Sequence, residues 1–472
     1  MLLKYFYNDK LAHASYMVGC QATGEALVVD PGRDIAPYLQ TAQDNGMQIV
    51  AVTETHIHAD FLSGARELAE QTKAKLYLSD EGDENWKYQF LDGYDHELVY
   101  DGSVFKVGNI KLEVLHTPGH TPEHISFLVT DTAGANQPIG IFTGDFVFVG
   151  DIGRPDLLEE AAGIKGTAEP GARRMFESLR RFRALPDFVQ VWPAHGAGSA
   201  CGKALGAIPS STVGYEKLFN WAFQYEDEDQ FVKALLAGQP EAPKYFAMMK
   251  KLNKEGPAVL GGLPQPQRLD DQRLANVLAE GLKVVDTRSA DEFAKGHIPG
   301  TINIPNDGAF TNWAGWLLTY DQPFYLIAAE NALPGLVRNL ISIGLDNIDG
   351  VFDPEVVTRQ TQLQHYDSAS LDQIADKVVN GEVVVLDVRG TSEWNEGHIP
   401  GARHIMLGYL PERLSELPTD KPVVVHCRTN NRSAIGASLL QAKGFKNVIK
   451  LTEGYQGWAK AHLPIERNGG AN

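Results

Sequence analysis

Four short polar segments, each closing an apolar run, constrain this chain more than any other feature. They are THIHADF (Thr55–Phe61), TPGHT (Thr117–Thr121), TGD (Thr143–Asp145) and PAHG (Pro193–Gly196). The runs before them, such as MQIVAVTE, IKLEVLH, IGIF and VQVW, are short, apolar and bounded by turn residues, which reads as strand. EALVVDPG (Glu25–Gly32) is a further strand ending in a Pro-Gly turn, and Leu62–Thr72 has helical spacing. Many strands, few helices and ligand-type residues at strand ends fit an αββα sandwich over about the first 250 residues.

The residue types at those ends are those of a metal site. His56 and His58 stand at i, i+2, which puts them on one side of an extended segment, and Asp60 continues that side if the chain stays extended. His120 lies in a Pro-Gly-His turn, where Gly119 lets the backbone approach a ligand closely. Asp145 and His195 end their strands, whereas His124, opening HISFLV, is the weaker ligand candidate. Imidazoles with a carboxylate suit zinc, iron or manganese, and two His with one carboxylate is the donor set of the non-haem Fe(II) oxygenases.

On these motifs residues 1 to about 250 resemble the metallo-β-lactamase superfamily and, within it, the persulfide dioxygenases. The full superfamily pattern is His-x-His-x-Asp-His, and Phe61 stands where its last His would be. That departure argues for one metal and against two. The resemblance implies one Fe(II) per chain on His56, His120 and Asp145. It places His58, Asp60 and His195, which bind metal in hydrolase relatives, around those ligands and off the metal. GDIGRPDLLE (Gly150–Glu159) resembles the loop after the Asp ligand, so Arg154 is expected to contact an anionic thiol substrate, with a structural salt bridge as the alternative. PSSTVGYEK (Pro209–Lys217) is similar to a segment shared by dioxygenases and glyoxalase II hydrolases and does not discriminate.

From about Pro264 the pattern changes to a tandem duplication. LKVVDTRSADEFAKGHIPGTINIP (Leu282–Pro305) recurs as VVVLDVRGTSEWNEGHIPGARHI (Val383–Ile405), and GLDNI (Gly344–Ile348) as GFKNV (Gly444–Val448). Each copy reads strand, turn, helix, strand, as in a small parallel sheet wrapped by helices. In the second copy KPVVVHC runs into Cys427, then RTNN, Arg432, Ser433 and an apolar helix. A cysteine between a strand end and a helix N-terminus, with Arg428 and Arg432 beside it, favours the thiolate nucleophile, and the two arginines are the candidate substrate-binding residues of this loop.

This loop resembles that of the rhodanese sulfurtransferases. Four residues separate Cys427 from Arg432, one fewer than in rhodanese-like phosphatases, a ring sized for sulfur. Asp387, Arg389 and EGHIPGA match rhodanese framework positions. In the first copy the cysteine position falls on Ala328 or Ala329, and Glu330 has the wrong charge, so that copy reads as inactive.

At 472 residues the chain exceeds one core. The expected domains are 1–255 (dioxygenase-like), 266–360 (inactive rhodanese-like) and 368–472 (catalytic rhodanese). A net charge of -18 argues against nucleic acid and anionic membrane as partners. There is no signal-peptide pattern and no apolar stretch long enough to span a bilayer. Cys20, Cys201 and Cys427 are too few and scattered for a disulfide framework, so a reducing cytoplasm is expected. Cys20 reads as a small buried residue. Cys201, six residues past His195 in a glycine-rich loop, is a candidate accessory thiol that accepts or relays sulfur.

The whole chain therefore resembles a persulfide dioxygenase–rhodanese fusion of the bacterial sulfide-detoxification type. The resemblance implies O2-dependent oxidation of a low-molecular-weight thiol persulfide to sulfite and thiol, coupled to sulfurtransfer through Cys427, with thiosulfate formed or consumed. Two other readings remain: a glyoxalase II-type thioester hydrolase, which needs a second metal, and a non-catalytic sulfur carrier. Which thiol carries the persulfide is open, and so is homo-oligomerisation, although the superfamily often dimerises.

Overall fold

The structure, a computed structural model, describes residues 1–157, 159, 165–203 and 205–467. The chain forms two compact units. One holds Met1–Leu263 with Arg338–Gly344, and the other holds Pro264–Val337 and the described residues from Leu345 onward. The two duplicated copies, read above as domains 266–360 and 368–472, share this second unit.

The first unit contains two six-stranded sheets. One runs in the order β1 (Leu2–Asn8), β2 (His13–Cys20), β3 (Glu25–Val29), β4 (Gln48–Thr53), β5 (Lys75–Ser79) and β6 (His96–Val99). The other comprises β7 (Val104–Val107), β8 (Ile110–His116), β9 (Ile125–Asp131), β10 (Gly140–Gly144), β11 (Gln190–Pro193) and β12 (Ser211–Thr212), each beside the next in sequence.

Strand periodicity explains the layers. On β2 every residue is buried because alternate side chains feed different cores. Ala14, Tyr16 and Val18 enter the core that holds Leu112, Phe127 and Phe142 of the second sheet. Met17 enters another with Leu68 and Ala69, from α2 (Ala65–Thr72), and with Ala42 of α1 (Ala36–Asp44). Ile141 and Val191 of the second sheet bury against Met175, Phe176 and Leu179 of α3 (Ala168–Arg183), together with Phe231 of α4 (Glu228–Leu236). Each such side chain stabilises the layer by roughly 1.5–3 kcal/mol when fully buried. The result is the expected αββα sandwich.

The second unit holds two all-parallel sheets. The first has the order β14 (Ile302–Asn303), β13 (Lys283–Asp286), β15 (Phe324–Ile327), β16 (Ile348–Phe352). The second has the order β17 (Asp367–Ala369), β21 (Val448–Leu451), β20 (Val423–His426), β18 (Val384–Asp387), β19 (Arg403–His404). Strands such as FYLI and VVVH are buried along their whole length, as parallel strands covered on both faces are.

Both copies use one internal brace. The Arg288 guanidinium grips Asp286 at 2.7 Å and donates to the Gly296 carbonyl at 3.0 Å. Arg389 does the same with Asp387 at 2.6 Å and Gly397 at 2.8 Å. The DxR and GHIPG motifs are therefore framework in both copies.

Candidate metal centre and cysteine loop

The polar ends of β4, β10 and the turn between β8 and β9 meet. His56, His120 and Asp145 offer one ligand atom each, all within 4.8 Å of one another and all buried. The remaining ring nitrogens are anchored: His56 Nδ1 lies 3.0 Å from Thr55 Oγ1, and His120 Nδ1 lies 2.8 Å from the Arg154 carbonyl. Such anchoring fixes which nitrogen faces inward.

The inward atoms have nothing to bind. His56 Nε2 and both carboxylate oxygens of Asp145 are buried without a hydrogen-bond partner. Buried polar atoms in folded proteins are nearly always satisfied. Three converging orphans therefore fit a metal ion. Burial, with neighbouring imidazoles, holds His56 well below its ordinary pKa, and burial lowers His120 too. Both are neutral, as ligation requires.

The expected side-sharing holds for His56 and His58, whose ring centroids lie 4.2 Å apart. β4 ends at Thr53 and the chain then bends, so the run does not stay extended as far as Asp60. His58 turns to Asp30, with Nε2 3.1 Å from Oδ1. Burial opposes its charge, but Asp30 outweighs burial and lifts His58 to about 9. Asp60 Oδ2 stands 3.2 Å from His195 Nε2, which is also 3.4 Å from Asp145 Oδ1. Burial pushes His195 down, yet Asp145, Cys201 and Asp60 together hold it well above its ordinary value. Asp60, His195 and Cys201 form a second trio of ligand-type atoms within 4.8 Å of one another. Cys201 is fully enclosed, and burial pushes its thiol up to about 12. Phe61 is buried too, its ring 3.8 Å from that of His13 and 4.3 Å from that of His58.

In the second unit Cys427 follows β20 directly and sits before α8 (Asn431–Ala442). It is 1% exposed, its sulfur 3.6 Å from Ser433 Oγ. The carbonyls of Cys427 and Arg428 accept from Tyr455 and Gln456, in the first turn of α9 (Gly454–Lys460). Register removes the ambiguity in the first copy: Asp387 pairs with His426 as Asp286 pairs with Ile327, so Ala328 stands where Cys427 does.

Residues 8–195 match the metallo-beta-lactamase superfamily, and residues 270–347 and 370–461 match the rhodanese-like domain. A solved structure described as a metallo-beta-lactamase from Staphylococcus aureus subsp. aureus COL is 44% identical, covering 75% of this chain and 98% of that one, with a TM-score of 0.67. The chain belongs to the metallo-beta-lactamase superfamily. Its second unit carries two rhodanese-like domains in tandem. A beta-lactamase hydrolase-like protein of Xylella fastidiosa (strain 9a5c) is 28% identical over 56% of this chain and 61% of its own length. A hydroxyacylglutathione hydrolase of Rhodospirillum rubrum is 32% identical over 38% of this chain and 60% of its own. The chain thus spans about three fifths of the length of these curated relatives.

Two arginines of this metallo-beta-lactamase–rhodanese chain are not placed as expected. Arg154 is fully buried, and its guanidinium forks onto Asp156 at 2.8 and 2.5 Å, so its charge is spent inside the protein. The salt-bridge alternative fits it, and substrate contact does not. Arg432 likewise forks onto Glu393 of α7 (Thr391–Glu396) at 2.5 and 2.9 Å. Arg428 stays exposed at the loop. His124 is fully used by Thr117 Oγ1 at 2.8 Å and the Asp145 N–H at 3.1 Å, which is why it does not join the ligand cluster.

Sequence reasoning missed Asp30, His13, Glu54 and Glu123, all buried around the metallo-beta-lactamase centre. Glu123 accepts the Ile57 N–H at 2.8 Å and so holds the histidine loop. The aspartate before the Pro-Gly turn of VVDPG was a readable sign, since a strand end beside the histidine strand is where such a partner belongs. His13 and the two glutamates carry no local pattern that marks them.

Proposed function

We propose that this chain is a mononuclear Fe(II) persulfide dioxygenase joined to a rhodanese-type sulfurtransferase. The convergence of His56, His120 and Asp145, with His56 Nε2 and both Asp145 carboxylate oxygens buried without a hydrogen-bond partner, carries the reading, together with Phe61 in place of the second-site histidine. Two imidazoles and one carboxylate would hold the metal, and iron(II) held there would supply the redox chemistry that joins O2 to sulfur. The overall change balances as R–S–SH + O2 + H2O giving R–SH, sulfite and two protons.

The protein's own residues prepare that reaction. Thr55 and the Arg154 carbonyl orient the imidazoles. His195 stands beside Asp60 and Asp145, an imidazole next to the place where an anionic product forms. In the second centre the Cys427 thiolate attacks the sulfane sulfur of thiosulfate. The S–S bond breaks, sulfite leaves with the electron pair, and a cysteine persulfide remains for transfer to a thiol. Arg428 faces the anionic oxygens of thiosulfate or sulfite, and the reverse direction makes thiosulfate from sulfite.

A two-metal thioester hydrolase is the second reading. The Asp60–His195–Cys201 trio and the likeness to a hydroxyacylglutathione hydrolase favour it. Against it stands Phe61, which leaves that trio one histidine short and packs on His58. Metal analysis decides. Protein loaded anaerobically with iron alone should hold about one iron per chain, consume O2 with a persulfide and leave thioesters intact. About two zinc ions per chain with thioester hydrolysis would sink the proposal.

A further inference from the structure

Helix α3 carries five arginines on its outward face, and four have carboxylates: Arg173 with Glu169, Arg180 with Glu177, Arg181 with Asp101, and Arg183 with Glu226. Arg174 is exposed and has no ion pair or hydrogen bond among the described residues.

Arg174 lines a cavity of about 260 Å3, and so does His120 of the metal cluster. The same cavity is lined by Lys250, from α5 (Tyr245–Glu255), and by Trp86. The Lys250 ammonium lies 3.6 Å from the centre of the Trp86 ring, a cation–π contact that fixes it without neutralising it. The one carboxylate in the lining, Asp83, accepts the Asn85 N–H at 2.8 Å and so serves its own turn. Glu123 and Lys254 are the other charges that Lys250 feels. Gly119, Pro122, Pro155 and Pro170 supply rigid, apolar wall between these charges and His120.

We propose that Arg174 and Lys250 form an anion site at the cavity that reaches the metal cluster at His120, holding a carboxylate or phosphate of the thiol that brings the persulfide in. The proposal rests on the persulfide reading for the identity of the reacting sulfur, but the anion site itself does not require it. The cavity is smaller than the roughly 300–1,000 Å3 of drug-sized sites, so it takes the thiol arm and one anionic group and leaves the rest of a larger carrier outside. The Arg174 fork suits either oxyanion, and the fixed Lys250 ammonium adds a point charge. The predicted substrate class is an anionic thiol, and uncharged small thiols are poor carriers.

The test uses the full-length protein, with non-reactive S-methyl glutathione, S-methyl coenzyme A and S-methyl 2-mercaptoethanol as probes in calorimetry. A parallel series measures O2 uptake with the three corresponding persulfides. An anionic thioether should bind the parent protein, and Arg174→Gln and Lys250→Gln should each weaken it about tenfold, the scale of about 1.4 kcal/mol. In the kinetic series each variant should raise KM for the anionic persulfide and shrink the preference over the uncharged one by a similar factor. Arg174→Lys should recover part of the loss. The thioether that loses more identifies the source, carboxylate-bearing peptide or phosphate-bearing cofactor. Arg174 is exposed, so its variants report even if Lys250→Gln disturbs packing on Trp86. Binding of all three probes unchanged in both variants would overturn the proposal, as would no binding of any anionic probe to the parent. Weakened anion binding in a protein that consumes no O2 would uphold the site and remove the dioxygenase reading alone.

Discussion

His56 Nε2 and the Asp145 carboxylate oxygens are buried without a hydrogen-bond partner, an arrangement that costs free energy until a metal arrives. Metal should therefore raise the melting temperature of the parent protein, by the equivalent of about 2.7 kcal/mol at a metal concentration of about 100 times Kd. His56→Ala should lose most of that shift while its metal-free form melts no lower than the parent. A metal-free variant that is several kcal/mol less stable would show the imidazole to be packing and not a ligand. Glu123 gives a prediction of a different kind. Burial lifts its carboxyl from 4.5 to about 7, although the Ile57 N–H pulls the other way. The metal-free folded state then keeps a proton that the unfolded chain gives up, so stability falls as pH rises from about 4.5 to about 7. Glu54 shifts in the same direction and for the same first reason, burial. Glu123→Gln should reduce the slope of stability against pH in that window by about one proton, worth on the order of 3 kcal/mol over the window. An unchanged slope in denaturant titrations from pH 4 to 8 would count against it.

At the scale of elements, strand ends and turns carry both centres. Gly153 has the Asp145 carbonyl where a Cβ would stand, so the loop after β10 passes the ligand with no room for a side chain. In the other unit Gly454 adopts φ +58, and a Cβ there would meet the carbonyls of Cys427, Arg428 and Thr429. Gly454→Ala should cost on the order of 1–3 kcal/mol and lower sulfurtransfer more than it lowers O2 uptake. Cys427→Ser should abolish thiosulfate-to-thiol sulfurtransfer, because a serine hydroxyl forms no persulfide, and should leave persulfide-dependent O2 uptake in place. Sulfurtransfer surviving in Cys427→Ser would move the sulfur carrier to Cys201.

These elements also show what a sequence reveals. Short apolar runs bounded by turns marked the strands, and their polar ends marked the ligand-type residues, because both are local patterns; which three of those residues form the trio came from the family resemblance. The partners of Arg154 and Arg432 were not legible: Asp156 lies two residues from Arg154 but is one acid among many, and Glu393 is distant in the chain from Arg432. The turn of His58 toward Asp30 depends on where β4 stops, which no spacing rule fixes.

At the scale of the molecule, the cysteine-free rhodanese-like copy acts as a wall for the copy that carries Cys427. α8, whose N-terminus borders the cysteine loop, is buried from Ser433 to Gln441 and so has no solvent face over that stretch. Its Ser438 hydroxyl accepts the Asn303 N–H of β14 at 3.0 Å, and Gln441 donates to the His365 carbonyl at 2.7 Å. Trp316 of the first copy meets Tyr409 of the second edge-on at 5.4 Å. A fragment 368–472 should therefore be less stable than 264–472 and lose sulfurtransfer on mild heating first. Equal melting temperatures would show the duplicate to be a mere spacer. Joining the two proposed activities in one chain would also raise the effective concentration of sulfite and persulfide at the other centre. The intact chain should release less free sulfite than an equimolar mixture of 1–263 and 264–472, and identical product ratios across dilution would remove any role for the linkage.

The central claim, that one iron on His56, His120 and Asp145 oxidises a persulfide, is tested most directly by oxygen consumption in iron-loaded, Cys427→Ser protein given a defined thiol persulfide. About one O2 should disappear for each persulfide consumed, with sulfite and free thiol appearing in equal amounts. Persulfide left untouched with no O2 uptake, while the same preparation hydrolyses a glutathione thioester, would contradict it.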